Sequence, residues 1–192
     1  ALNGTYCQIT GYIGNAAAIR IPAEIDGYIV QSIADNVFKD NKTLTIVVFP
    51  ETIETMGSNV FSGCTALTDV SFNNGLTNIG SNTFTGCTAL EGITLPNTIV
   101  SIGSYAFHEC SSLASIEIPN GVTDIDERVF SFCTSLTSIE IPNSVTSIGS
   151  SAFYHCQGLT SIEIPDSVTS IGDYAFSGCS GLTSAVIGNG VT

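Results

Sequence analysis

Three residue types keep a single 23-residue step along this chain. Phe recurs at Phe38, Phe61, Phe84, Phe107, Phe130, Phe153 and Phe176. Cys recurs at Cys64, Cys87, Cys110, Cys133, Cys156 and Cys179, and Leu at Leu44, Leu67, Leu90, Leu113, Leu136, Leu159 and Leu182. A fixed period of this size, kept by independent rows, is the signature of a solenoid with one coil per repeat. Each coil buries its apolar residues only against its neighbours, so single repeats are not expected to fold.

One coil can be read residue by residue. Leu136, Ile139 and Ile141 follow an L-x-x-I-x-I pattern in which Ile139 and Ile141 flank Glu140. That alternation predicts a short strand with one buried face, pairing in parallel with its equivalents about 4.8 Å away. Pro142 ends the strand because it has no N–H to give a ladder. Val145 and Ile148 predict a second extended segment on the opposite wall. The Gly that follows recurs at Gly57, Gly80, Gly103, Gly149 and Gly172, with Asp126 in its place once; that row predicts a bend or a positive φ. The stretch from Ser151 to Cys156 carries Phe153 and Cys156 inward and is short enough for only a single helical or 3₁₀ turn. The expected fold is a mostly β solenoid, with a parallel sheet on one wall and short extended or helical-turn segments on the other.

The ends depart from the rule. Residues 1–43 read as an N-terminal cap with an irregular first repeat, in which Tyr6 to Ile9 and Ala18 to Ile21 form strands and Asp26-Gly27 signals a hairpin turn. Residues 44–187 hold the regular repeats, and 188–192 begin a further one. With no polar cap there, the last coil is expected to continue into a longer protein or to be covered by a partner. Ala1 is taken as a processed start or a sequence boundary.

Composition narrows the function. The 192 residues include 17 acids and 4 bases, a net charge of −13. Nucleic-acid binding is excluded for want of a basic patch, and attachment to an anionic membrane is disfavoured. No apolar run is long enough to span a bilayer, so no membrane insertion is expected. With no Trp and two His, the side chains of most catalytic sites are scarce.

The unit SIEIPNSVTSIGSSAFYHCQGLT resembles the BspA-like, or Treponema-type, leucine-rich repeats, and the segment ITGYIGNAAAIRIPAEIDGYIVQSIADNVF resembles the opening of such arrays. Where the usual leucine-rich repeat carries an Asn or Cys after its strand, Ser144 and Ser167 stand here. The resemblance implies extracellular or cell-surface proteins of host-associated bacteria and some parasitic protists. Some of these are adhesins for matrix or plasma proteins or for other microbes.

Within this frame the candidate sites are few. The Cys row suits neither a zinc site, whose ligands must converge, nor disulfides, because stacked equivalents point the same way. Buried thiols acting as small hydrophobes are expected, with Cys7 the exposed or paired exception. Glu117, Glu140 and Glu163 stand between strand hydrophobes on consecutive coils, flanked by Ser115, Ser138 and Ser161. Like charges so placed repel, and a partner's Lys or Arg would relieve the cost. Asp124, Asp126, Glu127 and Arg128 form a second charged cluster. His108 and His155 lie near Cys110 and Cys156 without an orienting acid. Tyr105, Tyr154 and Tyr174 are expected to pack between coils, the other reading being a small aromatic surface for a glycan or a protein partner. The sequons at Asn3 and Asn41 would matter only in a eukaryotic secreted protein.

The expectation is an adhesin-like module that recognises a protein partner, either a host matrix or plasma protein or another microbial surface protein. No catalytic residue, cofactor or metal is expected. The alternative is a structural spacer or stalk that self-associates through its C-terminal end.

Overall fold

A computed structural model describes residues 5–192, so the sequon at Asn3 lies outside the described residues. The chain winds into a stack of coils with three walls, and among the described residues no helix forms. The first strand, β1 (Tyr6–Ile9), pairs in parallel with β4 (Tyr28–Ile33), while β2 (Ala18–Arg20) pairs on the other wall with the strand Ile46–Val48. The short β3 (Glu24–Ile25) runs antiparallel to β4 across a turn in which Asp26 (φ 51°) and Gly27 (φ 82°) are both left-handed. That is the conformation that an Asp-Gly hairpin requires.

The regular coils repeat one plan. On the first wall, Asp69–Ser71 follows Ile46–Val48, and Ser161–Ile164 pairs with Ser184–Ile187. On the second wall, Asp124–Ile125, Ser147–Ile148 and Ser170–Ile171 form a parallel ladder. Inside, the seven rings from Phe38 to Phe176 form one spine, with successive centroids 5.1–5.7 Å apart and planes within 17° of parallel. Tyr12 tilts onto Phe38 at 5.5 Å and covers the spine's first ring. Phe61 through Phe153 are fully buried, whereas Phe176 in the last complete coil is half-buried.

The third wall differs from expectation. The stretch from Ser151 to Cys156 is neither a helical nor a 3₁₀ turn. Two residues four apart are left-handed, Ser151 at φ 55° and His155 at φ 57°. The intervening amides close short turns (Tyr154 N–H to Ser151 O, Cys156 N–H to Phe153 O), while Ser151, Phe153 and His155 donate forward to Asp173, Ala175 and Ser177 of the next coil. A 3₁₀ helix would spend all these amides within the coil. Here every second amide points to the next coil instead, so this wall too is bonded coil to coil.

The Gly row also needs correction. Gly57, Gly80, Gly103, Gly149 and Gly172 are absent from the positive-φ positions. Their requirement is space: a Cβ on Gly80 would lie 2.3 Å from Gly57 O, and one on Gly172 2.5 Å from Ser150 N. Backbones of successive coils come close at this corner; Gly fits the approach at these five positions, and Asp126 takes the one between Gly103 and Gly149.

The buried thiols do more than fill space. Cys133 Sγ donates to Phe107 O of the preceding coil at 3.1 Å, and Cys64, Cys87, Cys110, Cys156 and Cys179 make the same bond to Phe38, Phe61, Phe84, Phe130 and Phe153. Burial pushes the Cys64 thiol up to about 11 and the Cys156 thiol up to about 12. All seven cysteines are free.

Candidate functional site

The first wall displays the residues singled out for binding. Ile116, Ile118, Ile139, Ile141, Ile162 and Ile164 are buried beneath it, and alternation therefore turns Ser115, Glu117, Ser138, Glu140, Ser161 and Glu163 outward, where all six are exposed. They line a shallow groove that runs along the wall. Its floor between residues 69 and 140 encloses about 810 Å³ and is bordered by Ser71, Thr94, Ser115, Glu117, Ser138 and Glu140. The groove continues past Ser144, Ser161 and Glu163 to Val186.

The ladder beneath this groove is not continuous. Gly92–Ile93 pairs with Ser115–Ile116, and Ser161–Ile164 pairs with Ser184–Ile187, with Glu163 opposite Val186. Residues 136–141 between them form no ladder strand. Thr137 N–H still reaches Ala114 O at 3.3 Å, and Thr160 N–H reaches Thr137 O at 3.2 Å, so the coils remain tied just before the glutamates. The ladder thus lapses where Glu140 would stand between Glu117 and Glu163. Like charges directly opposite one another destabilise a strand pair. A second gap, between Asp69–Ser71 and Gly92–Ile93, has no such row.

Hydroxyl rows carry part of the bonding between coils. Thr160 Oγ1 donates to Thr137 O, and Thr183 Oγ1 to Thr160 O, at 3.3 and 3.1 Å. Ser144 Oγ donates to Val122 O at 2.7 Å, doing at that place what an Asn ladder would do. These Thr rows also keep the 23-residue step and were open to detection in the sequence.

The second charged cluster resolves into local bonds. Asp124 accepts hydrogen bonds from Ser147 and Thr123, which hold its carboxyl below the usual carboxylate range. Asp126 makes no bond of that kind, and burial followed by the Asp124 charge raises its pKa. Arg128 lies 3.9 Å from Glu127. The histidines are not placed for thiol chemistry: His108 Nδ1 meets Ser131 Oγ at 2.7 Å, while Cys110 is bonded to Phe84 O and strongly raised by burial. Burial lowers the His108 pKa, opposed by Glu109. Cys7 Sγ, half-buried, donates to Tyr28 O at 3.6 Å. Tyr105 and Tyr154 pack against rings of the third wall, and Tyr174 is 72% exposed. Phe132, which belongs to no row and drew no attention in the sequence, sits among them.

Stacked coils of 23 residues, a ladder wall and an aromatic spine define a leucine-rich-repeat solenoid. The family model described as BspA type leucine rich repeat region matches residues 31–145 and 100–192 with six copies. The chain belongs to that family. Solved structures agree with it. A leucine-rich repeat protein from Bacteroides ovatus is 31% identical with a TM-score of 0.86, the match covering 94% of this chain and 48% of that one. The present chain therefore spans about half the length of that relative. The T. pallidum leucine-rich repeat protein is also 31% identical, with a TM-score of 0.66, over 79% of this chain and 82% of the other. A leucine rich cell surface protein from Faecalibacterium prausnitzii, 22% identical with a TM-score of 0.51 over 97% and 92% of the two chains, shares the fold. A search of curated proteins found no match.

Proposed function

We propose that this chain is an adhesin-like binding module, presented outside the cell or on its surface, that recognises a protein partner through the groove of the first wall. The observation that carries this reading is the exposed row of Glu117, Glu140 and Glu163 with Ser115, Ser138 and Ser161, on a wall whose ladder lapses at residues 136–141. Carboxylates flanked by hydroxyls suit Lys and Arg side chains of a partner and would give up their mutual repulsion on binding. Affinity would accumulate from modest contacts along several coils, with no chemical step. Membership of the BspA-type family supports the reading. The partner class is a host matrix or plasma protein, or another microbial surface protein.

The test is binding of the purified chain to immobilised fibronectin and fibrinogen at low and high salt, beside a Glu117/Glu140/Glu163→Gln variant. Salt-sensitive binding that the variant loses supports the groove. Binding that the variant keeps moves the site elsewhere and refutes the assignment. A spacer or self-associating stalk is the second reading, favoured by the bonding of each coil to both neighbours on its walls. Concentration-dependent association in sedimentation, without binding to either protein, would support it.

A further inference from the structure

Two residues of each coil on the third wall have left-handed backbone. Gly takes this conformation freely and Asn or Asp at low cost, whereas bulky residues resist it. The earlier coils follow that preference, with Asn36 and Asp40, Asn59 and Gly63, and Asn82 and Gly86. The later coils depart from it, with Tyr105 and Glu109, Arg128 and Phe132, and Ser151 and His155, before Tyr174 and Gly178. Phe132 sits at φ 61° and Tyr105 at φ 62°. Backbone strain confined to one stretch of one wall is the kind that marks a functional surface.

These positions build one continuous face. His108 meets Tyr105 edge-on at 5.5 Å and Phe132 at 5.8 Å. Phe132 stacks on His155 at 5.1 Å with planes 5° apart and meets Tyr154 edge-on at 5.5 Å. The His155 ring lies along the next coil, where a Cβ on Gly178 would come within 2.7 Å of its Nδ1. Carboxylates border the rings: Glu109 is 3.3 Å from His108 Nε2, and Glu127 accepts the Tyr105 hydroxyl at 2.9 Å. Both carboxylates are more than half exposed.

The geometry points to a second binding face here, an aromatic and carboxylate surface on the third wall that takes Arg and Lys side chains of a basic segment of a partner protein. The molecule holds one such cation itself. The Arg128 guanidinium stands 5.6 Å from the Tyr105 ring centroid and 3.9 Å from Glu127, so ring and carboxylate together already seat a guanidinium. Beyond Arg128, the bases of the chain are Arg20, Lys39 and Lys42, all ahead of the regular coils. Among the described residues only Tyr105 has a Lys or Arg over its ring, and Glu109 meets only His108, so the charge complement of the rest of this face is a basic partner. This face lies on a different wall from the groove and stands without it.

The test uses fluorescence anisotropy with a labelled peptide of alternating Arg and Gly, and a control peptide with Ser in place of Arg, at near-physiological ionic strength. The key variant is Phe132→Gly/His155→Gly, which borrows the residues that Gly63 and Gly86 supply at the same place and so relieves backbone strain. The expected result is that this variant binds the Arg peptide about tenfold more weakly. Both proteins carry Glu117/Glu140/Glu163→Gln as a common background, so that Arg side chains taken up by the groove do not enter the comparison. Equal binding by the ring variant, equal binding of the Ser peptide, or no binding by the background protein would each overturn the proposal. If the ring variant fails to fold, titration of the parent decides: Phe132 and His155 ring resonances should shift on adding the Arg peptide, and unmoved resonances refute the proposal.

Discussion

Phe130→Ala should divide the molecule. Phe130 is fully buried and stacked on both faces, with Phe107 at 5.7 Å and Phe153 at 5.4 Å. Removing it deletes one ring and exposes the faces of two others to a void that rigid neighbouring coils cannot close. Phe-to-Ala truncation at a buried site costs about 3–5 kcal/mol, and the loss of two ring pairs places this one at about 4 kcal/mol or above. For a chain of this length that is a fall of about 8–16 °C in Tm. Phe176 is half-buried and stacks on Phe153 alone, at 5.1 Å, so Phe176→Ala should cost about 1–2 kcal/mol. Because each coil is stabilised only by its neighbours, the central void should also separate unfolding into two transitions, whereas the terminal one should merely fray an end. Urea unfolding followed by circular dichroism reads both effects, since the chain has no Trp to report on the core. Equal losses for the two variants, or a single sharp transition for Phe130→Ala, would refute the picture of a continuous spine whose energy lies in pairs.

Three further outcomes follow from individual groups. A disulfide reagent at mildly alkaline pH should label Cys7 first and Cys179 more slowly, while Cys87, Cys110, Cys133 and Cys156, whose thiols burial raises, should react only after denaturation; fast labelling of more than two thiols would contradict the buried row. Asp126 has a raised folded-state pKa, so the stability it lends is full below the ordinary carboxylate pKa and is lost as pH rises through the raised value; Asp126→Asn should therefore gain up to about 1 kcal/mol near neutrality and nothing in acid, and urea midpoints at the two pH values check it. Glu140→Thr, which copies Thr94 at the same place, should let the ladder close across residues 136–141 and stabilise the chain by about 0.5–1 kcal/mol, with slower amide exchange at Ile139 and Ile162; unchanged exchange would show that charge is not what opens it.

The rows of Phe, Cys and Leu were legible because a solenoid turns burial into a period, and Asp26-Gly27 was legible because its turn chemistry is local. The Gly row was misread for the opposite reason. Its demand comes from the backbone of the preceding coil, 2.3 Å from where a Cβ on Gly80 would stand, and nothing within a single repeat displays that neighbour. The paired left-handed positions on the third wall had a local signal in Asn59, Gly63, Asn82 and Gly86, but Tyr105 and Phe132 obscured it by occupying the same conformation against preference. The clearest limit lies in the groove. Residues 137–141 and 160–164 read identically, Thr-Ser-Ile-Glu-Ile, yet only the second contributes a ladder strand, Ser161–Ile164. Propensity and alternation are the same in both, so the difference comes from outside the segment. Glu163 faces Val186 across its ladder, while Glu140 has a glutamate on the coil to either side. Copying one favourable repeat three times thus builds an unfavourable row, and the row can persist only where the repulsion is tolerated or used. On the proposed reading, a ligand that neutralised Glu140 would gain the ladder energy in addition to its own contacts.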